Sequence, residues 1–290
     1  MRAAGTQAEW SHHCSACGKC CNSPPELSVP ELLHHQHTFF GCLTIRRIAR
    51  PRQDDRAWGA EFERLAAKLW HRLAAGDAHT DDVLLATRAF DLGLAERCPV
   101  LDQEQRCSLH TDRKPAICKV VPFDALAPDA AQHRVLSERA AEARSFGSDC
   151  IVPGEKPGFD VVTRRLTVVD GGARQALAER RRDLAEERVA WGDRVFQLLE
   201  PDLFSSTSRL ERVPSAGFMT LSLAPVLIAL LEQSKLSRAR CVAYLDAQAL
   251  VAERLLYAAT EAGHGESDRA RQLAAFTRTN ARLRLQLKDD

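Results

Sequence analysis

Four of the eight residues from Cys14 to Cys21 are cysteine: Cys14, Cys17, Cys20 and Cys21. A buried cysteine used as a small hydrophobe has no reason to fall this densely, so this stretch constrains the fold more than any other. A Cys-x-x-Cys pair on a tight turn points two sulfurs to one side, which tetrahedral thiolate coordination of zinc or iron requires. Gly18 follows the second sulfur and suits the positive φ that such a knuckle often needs. Neighbouring side chains diverge, so Cys20 and Cys21 either serve two sites or leave one thiol spare.

A second group of sulfurs begins 77 residues after Cys21: Cys98-Pro-Val-Leu, Cys107-Ser-Leu-His, Lys114-Pro-Ala-Ile-Cys118, and finally Cys150. Pro99 and Pro115 stiffen the backbone beside two of these thiols, which lowers the entropy lost on fixing them. Lys19, Arg113, Lys114 and Lys119 lie close by in sequence, and positive charge there would favour thiolates and offset the charge of a multi-thiolate site. His12, His13 and His110 are weaker candidates for replacing a thiolate. Cys42 and Cys241 stand apart and read as buried structural cysteines. A zinc ribbon is disfavoured, because no second Cys-x-x-Cys follows at the spacing such ribbons use.

Together these residues resemble the CxxCxxCC, or YkgJ-like, zinc- or iron-chelating family. Its cysteines find counterparts at Cys14, Cys17, Cys20, Cys21, Cys98, Cys107, Cys118 and Cys150, all expected as metal ligands. The resemblance covers residues 14 to 153, with a longer insert between Cys21 and Cys98 than in short members. It implies a metal-binding protein whose cofactor is zinc or an iron–sulfur cluster. A relative, the flagellin lysine N-methylase, implies an alternative: an S-adenosylmethionine-dependent protein lysine N-methyltransferase. Eight thiolates suffice for two four-sulfur zinc sites or for one four-iron cluster with thiols left over, and the sequence leaves both open.

The rest of the chain sets the context. Forty basic and thirty-nine acidic residues give a net charge of +1, which argues against a nucleic-acid partner. The first ten residues lack a secretory apolar core. The longest apolar run, Phe218 to Leu231, spans 14 residues with Thr220, Ser222 and Pro225 inside it. A bilayer needs about 20, so this run reads as a buried helix with no membrane partner. The expectation is a cytoplasmic chain, where thiols stay reduced and the ten cysteines form no disulfide framework.

The expected fold is mainly α with a few short strands (α+β), an N-terminal metal-cluster domain with irregular cysteine loops followed by a helical domain. The boundaries are 1–172 and 173–290, with a helical-hairpin insert at 55–96. Ser28-Val-Pro-Glu31 is a capping box, which predicts a helix from Val29 to His37. Residues 43–48 read as a short strand. Phe62, Leu65, Leu69 and Leu73 predict one helix of the hairpin, stopped by Gly76; Val83, Leu84, Ala86 and Phe90 predict the other, capped by Thr80 or Asp81. After a turn at Pro153–Gly158, one or two strands are expected between Phe159 and Val169. Val168 to Gly172 reads as a plain turn from strand to helix. Helices follow over 173–200, 216–233, 235–262 and 267–287, and through them a protein partner or substrate would dock. The alternating charges from Glu179 to Arg188 read as a solvated helix face with i, i+4 pairs, and His34, His35 and His37 as solvent-facing.

Overall fold

The computed structural model describes residues 9–48, 56–73, 82–93, 97–110, 113–204, 211–214 and 217–289. Two compact units share the chain, and each is assembled from three segments. The first takes Met1–Asn22, Pro51–Lys68 and Arg97–Asp183; the second takes Ser23–Arg50, Leu69–Glu96 and Leu184–Asp290.

The first unit is built on a small antiparallel sheet in the order β5-β1-β6-β7. Its strands are β1 (Glu9–His12), β5 (Ile151–Pro153), β6 (Asp160–Arg164) and β7 (Thr167–Val168). Trp10 sits opposite Pro153 on one side and Thr163 on the other, and the register against β6 shifts between Trp10 and Ser11. A bulge of this kind twists a strand and re-aims its end, here the end that leads into Cys14. Trp10, Ile151, Val162 and Val168 form one core with Val120, Phe123, Leu136, Ala140 and Leu177. The last five come from α3 (Ala116–Val120) and the turn after it, α4 (Gln132–Ser145) and α5 (Gly171–Glu187). Asp170 opens α5 as a cap, its carboxylate accepting from Ala173 N at 2.6 Å. That is the plain strand-to-helix turn expected there. The two short strands expected between Phe159 and Val169 are β6 and β7.

The second unit holds a sheet in the order β3-β4-β2-β8, from β2 (Gly41–Ile48), β3 (His71–Arg72), β4 (Asp82–Ala89) and β8 (Met219–Ser222). β2 and β4 pair over their full eight residues, Gly41 opposite Ala89 through Ile48 opposite Asp82. Their apolar ends pack on two long helices, α8 (Arg238–Glu261) and α9 (Asp268–Asp289). Phe40, Cys42, Phe90 and Leu92 share a core with Val251, Ala252, Leu273 and Phe276. Gln248 is fully buried on α8. It accepts from Gly41 N at 2.7 Å and donates to the carbonyls of Gln36 and Phe39 at 2.9 and 3.0 Å. A buried amide with both ends satisfied ties helix to strand at no desolvation cost. α1 (Val29–His34) begins with the expected capping box, Ser28 and Glu31 bonding reciprocally.

The α+β class is as expected, with two antiparallel sheets. Four expectations need correction. First, the insert is not a helical hairpin: α2 (Arg56–Leu69) forms, but the second arm is strand β4. All eight residues of β4 are buried. A strand buried on both faces reads as one continuous apolar run, which periodicity does not separate from a helix. The proposed stop at Gly76 and caps at Thr80 and Asp81 lie outside the described residues.

Second, the apolar run near 218–231 is not one helix. Its first part is β8, paired with β2, and α7 (Ala224–Glu232) starts only at Ala224, with Pro225 in its first turn. Third, the charged stretch of α5 is not simply solvated. Arg180 and Glu187 are buried, and Glu187 accepts from Val29 N at 2.7 Å. Arg181 donates to the carbonyls of Ala125 and Ala127 and to Asp129. Glu179, which accepts from Gln175 Nε2 at 2.8 Å, makes an exposed i, i+4 pair of the expected kind. Fourth, His35 is buried, though His34 and His37 are exposed.

After α5 the chain makes a π-helical turn at Arg188–Gly192, α6 (Asp193–Leu199) and a second π-helical turn at Glu200–Phe204. No described helix is long and apolar enough to cross a membrane.

Candidate metal centre

β1 delivers the chain into the cysteine knuckle, which has no regular secondary structure and is shaped by local hydrogen bonds. Ala16 and Gly18 both take positive φ, 54° and 71°. Cys21 N donates back to Gly18 O at 2.9 Å, closing the turn. Gly18 is required twice over, because a Cβ there would lie 2.4 Å from the carbonyl oxygen of Gln105. The knuckle therefore lies directly on the loop that carries the second cysteine group.

That loop is a miniature hairpin. Leu101 bridges Cys107, Ser108 N donates to Val100 O at 3.0 Å, and Asp102 N donates to Arg106 O at 2.9 Å. Gln105 at its tip has φ 64°. Asp102 holds the tip by accepting from Arg106 N at 2.8 Å; that bond, with the Arg106 guanidinium, keeps its carboxyl below the ordinary range. Cys98 N donates to Cys21 O at 2.7 Å, joining the two cysteine groups backbone to backbone.

Two further elements complete the neighbourhood. Pro115 ends an extended segment and starts α3, so that Cys118 sits in the first turn with its N–H on Pro115 O. α4 ends in the turn at Gly147, whose carbonyl accepts from Lys19 Nζ at 2.5 Å. The same stretch leads to Cys150, whose carbonyl accepts from His13 N at 2.9 Å. One basic side chain and one backbone bond thus fix the knuckle to the end of α4.

All eight cysteines of the expected set lie in the first unit, and all ten in the chain are free thiols. Cys14 and Cys20 are exposed, Cys98 is buried, and the other five of the set are half-buried. The Cys21 sulfur lies within electrostatic reach of those of Cys118, Cys98 and Cys107, and Cys98 is in turn coupled to Cys107. Cys20 is bonded to Cys21 through their side chains. As donor, Cys20 has its thiol pKa pushed up, chiefly by that bond and then by burial. Cys21, the acceptor, is lowered by the same bond. Burial raises Cys98.

Among the histidines, His12 is held neutral more firmly than usual by burial and then by His13. The His13 ring packs against Phe159 at 5.5 Å, and His110 is exposed. Lys114 acts electrostatically on both Cys20 and His12. Among the described residues, no three His, Cys, Asp or Glu side chains are already gathered as an ion's ligands. The fit is one of donor chemistry and of backbone placement: hydrogen bonds and close contacts join the Cys14–Cys21 stretch to Cys98, Gln105, Gly147 and Cys150, and the stretches so joined are rich in soft thiols.

Residues 13–143 match a family model described as CxxCxxCC, "putative zinc- or iron-chelating domain". Over that stretch, a little under half of the chain, the sequence is similar to CxxCxxCC domains. No curated protein and no solved structure matches the chain significantly. The matched span of the CxxCxxCC domain ends before Cys150. The bond between Cys150 O and His13 N nevertheless brings that residue back to the first end of the match.

Cys42 and Cys241 lie outside this neighbourhood, fully buried in the second unit. Burial pushes their thiols up to about 12 and about 11, as suits inert structural cysteines. Residues that sequence reasoning missed are Gln105, whose carbonyl excludes any side chain at position 18, and Gly147, the acceptor for Lys19. Gly18 beside a Cys-x-x-Cys was the one visible sign of such a close approach.

Proposed function

We propose that the CxxCxxCC domain binds zinc or iron through its cysteine thiolates, and that this is the protein's primary biochemical property. The candidate ligands are Cys14, Cys17, Cys20, Cys21, Cys98, Cys107, Cys118 and Cys150. The reading rests above all on the Cys98 N–Cys21 O bond of 2.7 Å. It joins two sulfur-bearing stretches 77 residues apart in sequence. Thiolates drawn from stretches joined in this way would form a soft donor set suited to zinc, to iron or to an iron–sulfur cluster. Lys114 beside Cys20 supplies part of the positive charge that such a set needs.

The test is elemental analysis of the full chain purified anaerobically, wild type beside a Cys98→Ser, Cys118→Ser double variant. The expected result is stoichiometric zinc or iron in the wild type and little in the variant. A brown preparation with a visible charge-transfer band indicates iron, and a colourless one zinc. A wild-type chain that carries neither metal overturns the proposal.

A further inference from the structure

One short stretch, residues 147–153, fastens the knuckle and the strand that leads into it. Gly147 O accepts from Lys19 Nζ at 2.5 Å, and Cys150 O accepts from His13 N at 2.9 Å. Ile151, Val152 and Pro153 then pair with His12, Ser11 and Trp10 of β1. The stretch is itself fixed: Gly147, at φ 68°, ends α4 in a tight turn, its N–H on Arg144 O at 2.9 Å and that of Ser148 on Ala143 O at 2.8 Å. Carbonyls that close a helix carry partial negative charge, which makes an ammonium a favoured partner there. The β1 pairing and the Cys150 bond hold the stem of the knuckle, whereas Lys19 lies inside it, between Cys17 and Cys20. Its acceptor is 128 residues away in sequence and lies past residue 143, where the family match ends.

We infer that residues 147–150 are a clasp and Lys19 its latch: the bond to Gly147 O keeps the knuckle closed in the metal-loaded protein and sets how slowly the metal leaves. This rests on the metal-binding reading above and adds a release rate to it. An ion held between chain segments escapes when one segment lifts away, and such local openings are governed by the few bonds that hold the segment down. Lys19 is therefore a positioning residue, not a ligand. A lysine beside thiolates can also act through its charge alone. The two roles differ in one observable: a latch slows the opening of the backbone, and charge compensation leaves that opening as it was.

The experiment uses the full chain loaded with zinc or iron, whichever it holds, and challenged with an excess of colorimetric chelator. Metal release is followed in time, beside amide hydrogen exchange across residues 13–21 of the loaded protein before the challenge. Lys19→Met is expected to bind the wild-type amount of metal and to release it roughly three- to tenfold faster, the worth of one hydrogen bond. Exchange across residues 13–21 should quicken with it, while that of β2 and β4 in the second unit stays unchanged. Lys19→Arg, whose guanidinium can donate to the same carbonyl, restores both rates. Faster release with unchanged exchange across residues 13–21 assigns Lys19 to charge compensation and overturns the latch. A wild-type release rate in Lys19→Met overturns it too, as does complete loss of metal from that variant. A wild type that takes up neither zinc nor iron overturns the metal-binding reading instead.

Discussion

His71 sits on β3 with its side chain 5% exposed and its Nε2 3.1 Å from Asp193 Oδ1. Its ring stacks on Phe196 at 4.6 Å, and Phe196 on Phe204 at 5.1 Å. Arg188 shares Asp193 at 3.2 Å. Burial, and then the Arg188 charge, push the imidazole down to about 4, with Asp193 opposing. His71 is therefore neutral in the fold at pH 7, whereas an unfolded chain takes up the proton near pH 6.5. The stabilisation is whole above pH 6.5 and is lost as the pH falls towards 4. A difference of that size is worth roughly 3 kcal/mol in all. Urea unfolding of the wild type and His71→Gln across this range should show a steeper acid loss in the wild type; parallel curves would refute the assignment. Nothing in the sequence marked His71, because a lone histidine after an amphipathic helix carries no pattern. The capping box at Ser28 was legible because its signal is local, two side chains three residues apart. The charges of α5 misled for the opposite reason. Alternating sign describes a solvated face and a set of inward arginines equally well until their acceptors are known.

At the scale of elements, α5 shows what such an inward charge does. Arg181 donates to Ala125 O at 3.0 Å, Ala127 O at 2.7 Å and Asp129 Oδ1 at 2.8 Å, fastening α5 to the loop between α3 and α4. Hydrogen bonds to charged groups contribute about 1.5–3 kcal/mol, and loss of a buried donor strands its acceptors. Arg181→Lys should retain the charge but not the fork, and Arg181→Ala neither. Both should lower the first unit's stability by roughly 2–3 kcal/mol in chemical denaturation, with the alanine lower. Unchanged midpoints would show that water replaces the guanidinium. Helices were the legible elements of this chain. α2 was found from apolar spacing, α8 and α9 were expected as helices over 235–262 and 267–287, and β2, β6 and β7 were found from their branched residues. β4 and β8 were missed because each is defined by what lies beside it. β4 is enclosed by β2 and β3, and β8 is an edge on β2, and neither neighbour is local in sequence.

For the whole molecule, the two units have separate cores, and the candidate metal ligands all lie in one of them. A structural thiolate zinc site contributes an apparent 10–16 kcal/mol in small peptides, roughly the entire margin of an ordinary domain. Chelation should therefore strip hydrogen-exchange protection from Trp10, α3, α4 and β6, while β2, β4, α8 and α9 keep theirs. Equal protection with and without metal would show that the first unit stands without it. At this scale the sequence was legible in chemistry, through the spacing of its sulfurs, more than in topology. The order in which a ribosome releases the chain adds a last consequence. β1 lies between β5 and β6, so the earliest strand finds neither neighbour until the nascent peptide has grown past Ile151. Cys21 precedes Cys150 by 129 residues, which at 5–20 residues per second is roughly 6–26 s of translation. Throughout that interval the leading thiols stand without Cys150, so a metal site that used it would close only after roughly half of the chain had been made.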